Sequence, residues 1–565
     1  MKYPNQMKNY ARSIRKATLY FQLARLIWLI LAFSLGTSFH SLGQDTKKVT
    51  STDSLSKKWS QTIPGNFSGQ SKSLFDSTRI ILFFKRYPAL KKYEQEIRNF
   101  YRQRNYAYAW FDNGRLIEQA NNLANRVMNL NNDGIYKTVP YLQALDSLIH
   151  TQTGNKKLRS QDIITELMLS TQYFVFAELA WQGMNTATSR SSGWYMPRKK
   201  VAYNQYLDSL LNEPANIQAY AEPVYRQYEL LKSFLRKYRE LDRQDKWLPI
   251  ALKQTTIKPG DSSLTILQLK SRLFKLEDYN GDTLSQVYTD DLVTGLKKFQ
   301  ERHGLQVNGQ PYQATLNALN VPLASRIKQI VVNMERSRWL PVKLNTDYLA
   351  VNIPEYQLHV YHADSLLWSC KVVVGQTVHP TTVFYGEIKQ VVFSPYWNLP
   401  PGIIRNEVLP AIRKNPKYIA NHRMEITGTH NGLPVIRQKP GPENSLGLVK
   451  FLFPNNYNIY LHDTPSKSLF GENSRTFSHG CIRVSEPAKL AGFLLKNSKQ
   501  WDAKNIEQAM NAGKERYVNL LTKVPVFIAY LTAFTDRNNK LNFRKDIYQL
   551  DEHLAAMILA GNGAY

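Results

Sequence analysis

Only two cysteines, Cys370 and Cys481, occur in the 565 residues, which excludes the dense disulfide framework of small exported domains. Hydrophobic runs near the N-terminus are short. Leu26 to Leu35 covers about ten residues, about half of what a bilayer-crossing helix needs. Acidic residues are under-represented: 44 Asp and Glu face 73 Lys and Arg, giving a net charge of +29. Such a surplus attracts anionic polymers, whether nucleic acid, anionic lipid or cell-wall glycan. Metal-ligand spacings of the Cys/His or His-Glu-x-x-His kind are missing, so His422 and His430 read as solvated loop histidines and no metal is expected. Apolar material, in contrast, is plentiful. Hydrophobic residues make up 43% and aromatics 12%, enough for the three or four globular units that a chain of this length implies.

The leader narrows the choice of partner. Lys2, Lys8, Arg12, Arg15, Lys16 and Arg25 precede the apolar run, and Ser41-Leu42-Gly43 follows it, so residues 1–43 have the layout of a signal peptide. Left uncleaved and extended back to Leu19, the same segment would be a membrane anchor. Export to the periplasm or cell envelope is expected either way, with envelope polymer as partner and no nucleic acid. No cysteine closely follows the run, so lipid attachment is not indicated.

Residues 44–77, rich in Ser, Thr, Lys and Gly, have the composition of a flexible tether. Residues 78–250 read as a helical scaffold, because apolar positions recur at three and four residues in Tyr93 to Tyr101, Leu116 to Leu130 and Ile163 to Leu179. The aromatic stretch Tyr108 to Asp112 is expected to wedge helices together in preference to forming a recognition surface. Residues 255–326 hold two helical stretches, a turn at Gly304 to Gly309 and a third short helix near Tyr312 to Leu319. From about residue 340 the period changes to alternation in Tyr348 to Ile353, Tyr356 to Tyr361, Leu366 to Val374, Thr382 to Phe393 and Val449 to Phe453. A mainly β domain over 340–505 is predicted, interrupted at about 400–447 by a lid-like insertion. Residues 506–565 are expected to complete or pack on it.

The chemistry concentrates in Tyr460-Leu461-His462-Asp463-Thr464 and Ser478-His479-Gly480-Cys481-Ile482-Arg483. A thiol attacks as thiolate, and Cys481 has two histidines and an arginine close in sequence to assist its ionisation. Backbone N–H groups around Gly480 and Cys481 suit an oxyanion. These parts fit acyl transfer.

His462, eighteen intervening residues and the run Ser478 to Arg483 together resemble the signature of the L,D-transpeptidase (YkuD) catalytic domain. The flanking segments Arg437 to Gly447 and Lys450 to Pro465 look like the large subgroup of that family, which joins a helical scaffold, a three-helix peptidoglycan-binding domain and a β-sandwich-like catalytic domain with a lid. The segments Leu296 to Gln300 and Gly304 to Gly309 resemble that peptidoglycan-binding domain.

The resemblance implies Cys481 as nucleophile and His462 as its base, with Asp463 orienting the imidazole through either its carbonyl or its side chain. Ser478, His479 and Gly480 would shape the nucleophile loop. Arg483, Tyr460 and Trp397 would contact substrate, Arg483 through a carboxylate. The implied reaction needs no cofactor: a peptidoglycan tetrapeptide donor loses its terminal D-alanine to a Cys481 thioester, and the side-chain amine of a diamino acid on another stem resolves it into a cross-link. Carbapenems are the implied inhibitors and cell-wall synthesis proteins the implied partners. L,D-carboxypeptidase, exchange or protein-attachment chemistry would use the same thioester. A non-catalytic wall-binding scaffold would need none of these residues in register.

Overall fold

The computed structural model describes residues 73–112, 114–151, 162–212, 222–251, 257–341 and 344–560. The expected leader, and the expected tether up to residue 72, lie outside them. Packed structure is already present at Ser73. Leu74 bridges Ala107 and the Phe75 ring meets Tyr101 edge-on at 4.9 Å, so residues 73–77 belong to the helical region.

Helical periodicity becomes packing in that region. Glu94–Gln103 turns Ile97, Phe100 and Tyr101 inward, and Glu118–Met128 turns Ala120, Leu123, Ala124 and Val127 inward, the i, i+3, i+4 stripe of an amphipathic helix. Between these helices Tyr108, Trp110 and Phe111 are buried, as expected of a wedge. Their backbone is tied down by the buried Glu166 carboxylate, which accepts from the N–H groups of Ala109 at 2.5 Å and Trp110 at 3.0 Å. Strands β1 (Phe111–Asp112) and β2 (Arg115–Leu116) close this turn as a small hairpin. Glu166 comes from the helix Asp162–Phe176, which is buried on nearly every side.

The three-helix unit consists of Leu264–Lys275, Asp290–Arg302 and Gln313–Leu319 around its own core of Ile266, Leu269, Leu273, Leu292, Leu296 and Phe299. Gln300 explains its turn. The buried Gln300 amide accepts from the N–H groups of Asn308 at 3.0 Å and Gly309 at 2.8 Å and donates to the Gln310 carbonyl at 2.7 Å. A further helix, Leu323–Trp339, packs against Gln227–Gln244 on the scaffold side and Leu550–Leu559 at the C-terminal end. No sequence pattern predicted this helix. Its last turns bury Glu335, Arg336 and Arg338, whose charges break the apolar period and are neutralised by pairing, Arg336 with Asp551 at 2.6 Å and Arg338 with Glu335 at 2.7 Å.

The β-rich region opens with β3 (Asp347–Asn352), β4 (Gln357–His362), β5 (Ser365–Gly375) and β6 (Phe384–Phe393). The insertion follows, with β7 (Trp397–Asn398), β8 (Met424–His430) and β9 (Leu433–Gln438) in the order β7-β9-β8. Its core of Leu399, Ile404, Val408, Met424 and Ile436 is separate from the main one. The chain then returns through β10 (Val449–Leu452), β11 (Leu461–His462), β12 (Thr476–Ser478), β13 (Ile482–Val484) and the long β14 (Arg516–Ala529), before the hairpin of β15 (Ala533–Thr535) and β16 (Leu541–Phe543).

The main sheet has nine strands in the order β12-β5-β13-β11-β10-β6-β14-β3-β4, and an extra β4–β5 pairing closes it on itself. The C-terminal segment therefore does more than pack on the outside: β14 lies between β6 and β3. One continuous apolar core joins the sheet to the scaffold. At that junction Trp194 meets Trp339 at 5.5 Å, and the Tyr195 N–H donates to the Val383 carbonyl at 3.0 Å, just before β6.

Candidate active site

Strand alternation assembles the site. β11 and β13 are parallel neighbours, with Leu461 opposite Ile482 and His462 opposite Arg483. Leu461 and Ile482 are fully buried in the core. Side chains alternate along a strand, so Tyr460 and His462 share the other face of one chain segment, and Cys481 and Arg483 share it on the next. The Tyr460 and His462 rings lie 5.7 Å apart at a steep angle.

Cys481 is presented by a tight loop. The Ser478 hydroxyl donates to the Cys481 carbonyl at 2.5 Å and accepts from the Gly480 N–H at 3.2 Å. Gly480 has φ +109°, a conformation that side-chain-bearing residues rarely adopt. Its carbonyl accepts from the Thr381 hydroxyl at 2.8 Å, and that hydroxyl accepts from the Gly375 N–H at 2.9 Å. Behind them, the Tyr548 hydroxyl donates to the Gly375 carbonyl at 2.7 Å and accepts from the Thr381 N–H at 3.2 Å. The Gly480 N–H is thus already occupied, which removes it from the expected oxyanion donors. The Cys481 N–H has no acceptor among the described residues.

His462 is buried, and its Nδ1 lies 2.5 Å from the Asp463 carbonyl. A carbonyl only accepts, so Nδ1 carries the proton and Nε2 keeps its lone pair. Sequence left open whether carbonyl or carboxylate orients the ring; here the carbonyl does. The Asp463 side chain instead accepts from the Leu448 N–H at 2.9 Å and pairs with Lys467. Gly447 allows this: a β-carbon there would collide with the Asp463 carboxylate. Burial, followed by the Arg483 charge, pushes the imidazole down to about 3, so His462 rests neutral.

The Cys481 thiol is half-buried, 3.6 Å from the Asn458 carbonyl. Burial raises its pKa, opposed by hydrogen bonds from the backbone and hydroxyl of Tyr460 and by the Arg483 charge. The resting pair is consequently thiol and neutral imidazole. Burial lowers the Arg483 pKa, the neighbouring thiol opposes the shift, and the Arg483 Nε is buried without a hydrogen-bond partner. An unsatisfied guanidinium donor beside a thiol is suited to an incoming carboxylate.

Trp397 lies on β7 and packs against the insertion's core. His479 is engaged by the insertion. Its Nε2 lies 3.1 Å from the Glu407 carboxylate of the insertion, and its ring faces His379 at 5.3 Å. Cys370 is buried on β5, and both cysteines are free. The Nδ1–H of His422 donates to the Tyr418 carbonyl at 2.8 Å, and His430 is exposed. Thr381, Tyr548 and Asn458 escaped sequence reasoning, since a Thr in a polar turn, a Tyr in a C-terminal segment and a backbone carbonyl carry no local signal.

Three family profiles match the chain: "L,D-transpeptidase catalytic domain" over residues 346–510, "Scaffold domain" over 95–235 and "Putative peptidoglycan binding domain" over 262–319. A Haemophilus influenzae protein named "Putative L,D-transpeptidase" is 32% identical over 243 residues, 40% of this chain and 49% of that protein. The match thus spans about half the length of this relative. Among solved structures, L,D-transpeptidases from Stackebrandtia nassauensis and Xylanimonas cellulosilytica align over 49% of this chain and 97% and 100% of theirs. Their identities are 14% and 13% and their TM-scores 0.21 and 0.17, too low to add to the assignment. The profile matches and the Haemophilus relative identify residues 346–510 as an L,D-transpeptidase catalytic domain of the YkuD family, carried on one chain with a scaffold domain and a peptidoglycan-binding-type domain.

Proposed function

We propose that the protein is a cysteine L,D-transpeptidase that joins the third residues of peptidoglycan stem peptides through a thioester on Cys481. The observation that carries this reading is the fixed His462 tautomer, with Nδ1 held by the Asp463 carbonyl and Nε2 left as a base on the strand face shared with Tyr460. The thiol attacks the carbonyl of the donor's third residue while its proton passes to His462 Nε2. The unengaged Cys481 N–H faces the charge that develops on the carbonyl oxygen. When the tetrahedral species collapses, the carbon–nitrogen bond breaks and D-alanine leaves with the proton from His462. An acceptor amine then adds to the thioester, gives its proton to His462, and expels the Cys481 sulfur, which recovers it.

Burial and Arg483 make the transient imidazolium a strong acid, which favours prompt protonation of each leaving group. The energy of the original peptide bond is conserved in the thioester, so the scheme invokes no cofactor. Arg483 binds a stem carboxylate, and Tyr460 and Trp397 form the adjoining wall. The work takes place in the cell envelope, outside the cytoplasmic membrane, and a carbapenem acylates the same sulfur. The test is incubation with a disaccharide-tetrapeptide followed by product analysis. Dimers linked through third residues are expected. Tripeptides alone would replace this reading with carboxypeptidase action.

A further inference from the structure

The scaffold touches two segments that border the Cys481 loop. It buries Trp194 and Met196 and leaves Tyr195, between them, 44% exposed. Trp194 forms a parallel bridge with Val383, and the Tyr195 N–H donates to the Val383 carbonyl at 3.0 Å. Val383 stands two residues beyond Thr381, whose hydroxyl holds the Gly480 carbonyl. The Tyr195 side chain meets the second segment: its ring centroid lies 5.8 Å from that of Tyr457, with the planes tilted by 44°.

Tyr457 is itself firmly held. Its ring lies 4.9 Å from the buried Phe384 ring, and its N–H donates to the Asn455 side chain at 2.9 Å. The Asn455 amide donates in turn to the carbonyls of Phe453 at 2.6 Å and Ile459 at 2.7 Å. Asn458, the next residue after Tyr457, places its carbonyl 3.6 Å from the Cys481 sulfur. One residue step back along the chain puts the Tyr457 ring on the order of 10 Å from that sulfur, and an extended three-residue stem spans roughly 10–11 Å.

The chemistry of the pair selects a neutral ligand. Tyr457 is 40% exposed, and neither tyrosine hydroxyl has a hydrogen-bond partner among the described residues. Tilted rings leave apolar faces for the C–H face of a pyranose, and the unengaged hydroxyls suit its O–H and amide groups. Neither ring carries a charge, so the pair gives no particular hold on the carboxylates of a stem peptide, for which Arg483 is the suited donor.

We propose that Tyr195 and Tyr457 form a platform for the sugar ring to which the donor stem is attached, so that the scaffold sets a preference for sugar-bearing over free stem peptide. The inference rests on the transpeptidase reading for the identity of the donor. The scaffold thereby supplies one wall of the substrate site in addition to supporting the sheet.

Binding is measured on the full-length Cys481→Ala protein, in which no chemistry intervenes, with a disaccharide-tetrapeptide and with the same tetrapeptide free of sugar. The sugar-bearing form is expected to bind more tightly. Tyr195→Ala is expected to weaken it roughly five- to tenfold while shifting the free tetrapeptide less than about twofold. Tyr195→Phe, which keeps the ring, is expected to retain most of the preference. Equal losses with both ligands, or no loss with the sugar-bearing one, would overturn the platform. Iodoacetamide alkylation of Cys481 in the Tyr195→Ala protein is expected to match that of the parent, because the backbone bond to Val383 survives the substitution. A changed rate would assign Tyr195 to positioning the Cys481 loop and would also overturn the platform. Acylation of Cys481 by the donor is followed separately on the otherwise unaltered protein. Its failure beside sugar-dependent binding through Tyr195 would refute the transpeptidase reading and leave the sugar platform standing.

Discussion

The imidazole of His462 is oriented by the backbone of its own neighbour: Nδ1 lies 2.5 Å from the Asp463 carbonyl oxygen. A backbone acceptor does not titrate, so the same tautomer is held wherever the ring is neutral. The Asp463 carboxylate is spent elsewhere, on the Leu448 N–H and Lys467. Replacing Asp463 with Asn is therefore expected to leave the imidazole of His462 in place and to act mainly through the loop around Gly447.

Acid sensitivity follows from the same residue. An unfolded imidazole titrates near 6.5, whereas burial and Arg483 lower folded His462 to about 3. The unfolded chain binds a proton that the folded one refuses, so the contribution to stability is complete above about pH 6.5 and is lost as pH falls toward 3. His462→Gln is expected to flatten the acid limb of a denaturation series in that window, by up to ~1.4 kcal/mol per pH unit. Buried His303, also lowered, provides a remaining slope common to both proteins. An unchanged acid limb would show that His462 is protonated in the folded state.

Cys481 is expected to react slowly with iodoacetamide at neutral pH and faster as pH rises beyond the ordinary thiol value of about 8.5, because burial outweighs Tyr460 and Arg483. Alkylation rates by intact mass from pH 6 to 10 test this on the protein without substrate. A plateau below pH 8 would mean a preformed thiolate.

Tyr548 supports the loop that presents Cys481 from a distance, bonding Gly375 and Thr381, which in turn holds the Gly480 carbonyl. Tyr548→Phe removes these bonds at a cost of about 1 kcal/mol each. Turnover of the tetrapeptide is expected to drop roughly tenfold with KM little changed. A rise in KM at constant kcat would assign Tyr548 to substrate binding instead.

The parts of this site readable from sequence were those whose chemistry is local. Gly480 and Cys481 stand in the short run Ser478 to Arg483 and His462 in the run Tyr460 to Thr464, and the alternation around Leu461 and Ile482 already places Tyr460 beside His462. Thr381 and Tyr548 were invisible because they act across the fold, 99 and 173 residues from the backbone groups they bind. Helix Leu323–Trp339 was missed for a related reason: Arg336 and Arg338 look like surface residues until Asp551 and Glu335 neutralise them. The C-terminal strand ends in an apolar run, Val524 to Ala529, that is legible in sequence. Its position between β6 and β3 depends on pairing partners more than a hundred residues earlier.

Arg483 provides a test of substrate charge. Its buried, unpartnered Nε suits a carboxylate, and a charged hydrogen bond contributes about 1.5–3 kcal/mol. Arg483→Gln is expected to raise KM for the tetrapeptide by roughly 10- to 100-fold, while an amidated stem lacking that carboxylate loses far less. Equal losses with both substrates would confine Arg483 to shaping the site.

The central claim is covalent catalysis by Cys481, and intact mass of the protein after exposure to a disaccharide-tetrapeptide tests it most directly. The account predicts an adduct equal to the donor minus D-alanine, absent from Cys481→Ala, labile to hydroxylamine as a thioester, and followed by dimers joined through third residues. An adduct that persists in Cys481→Ala, or cross-linked product formed by that variant, would contradict it.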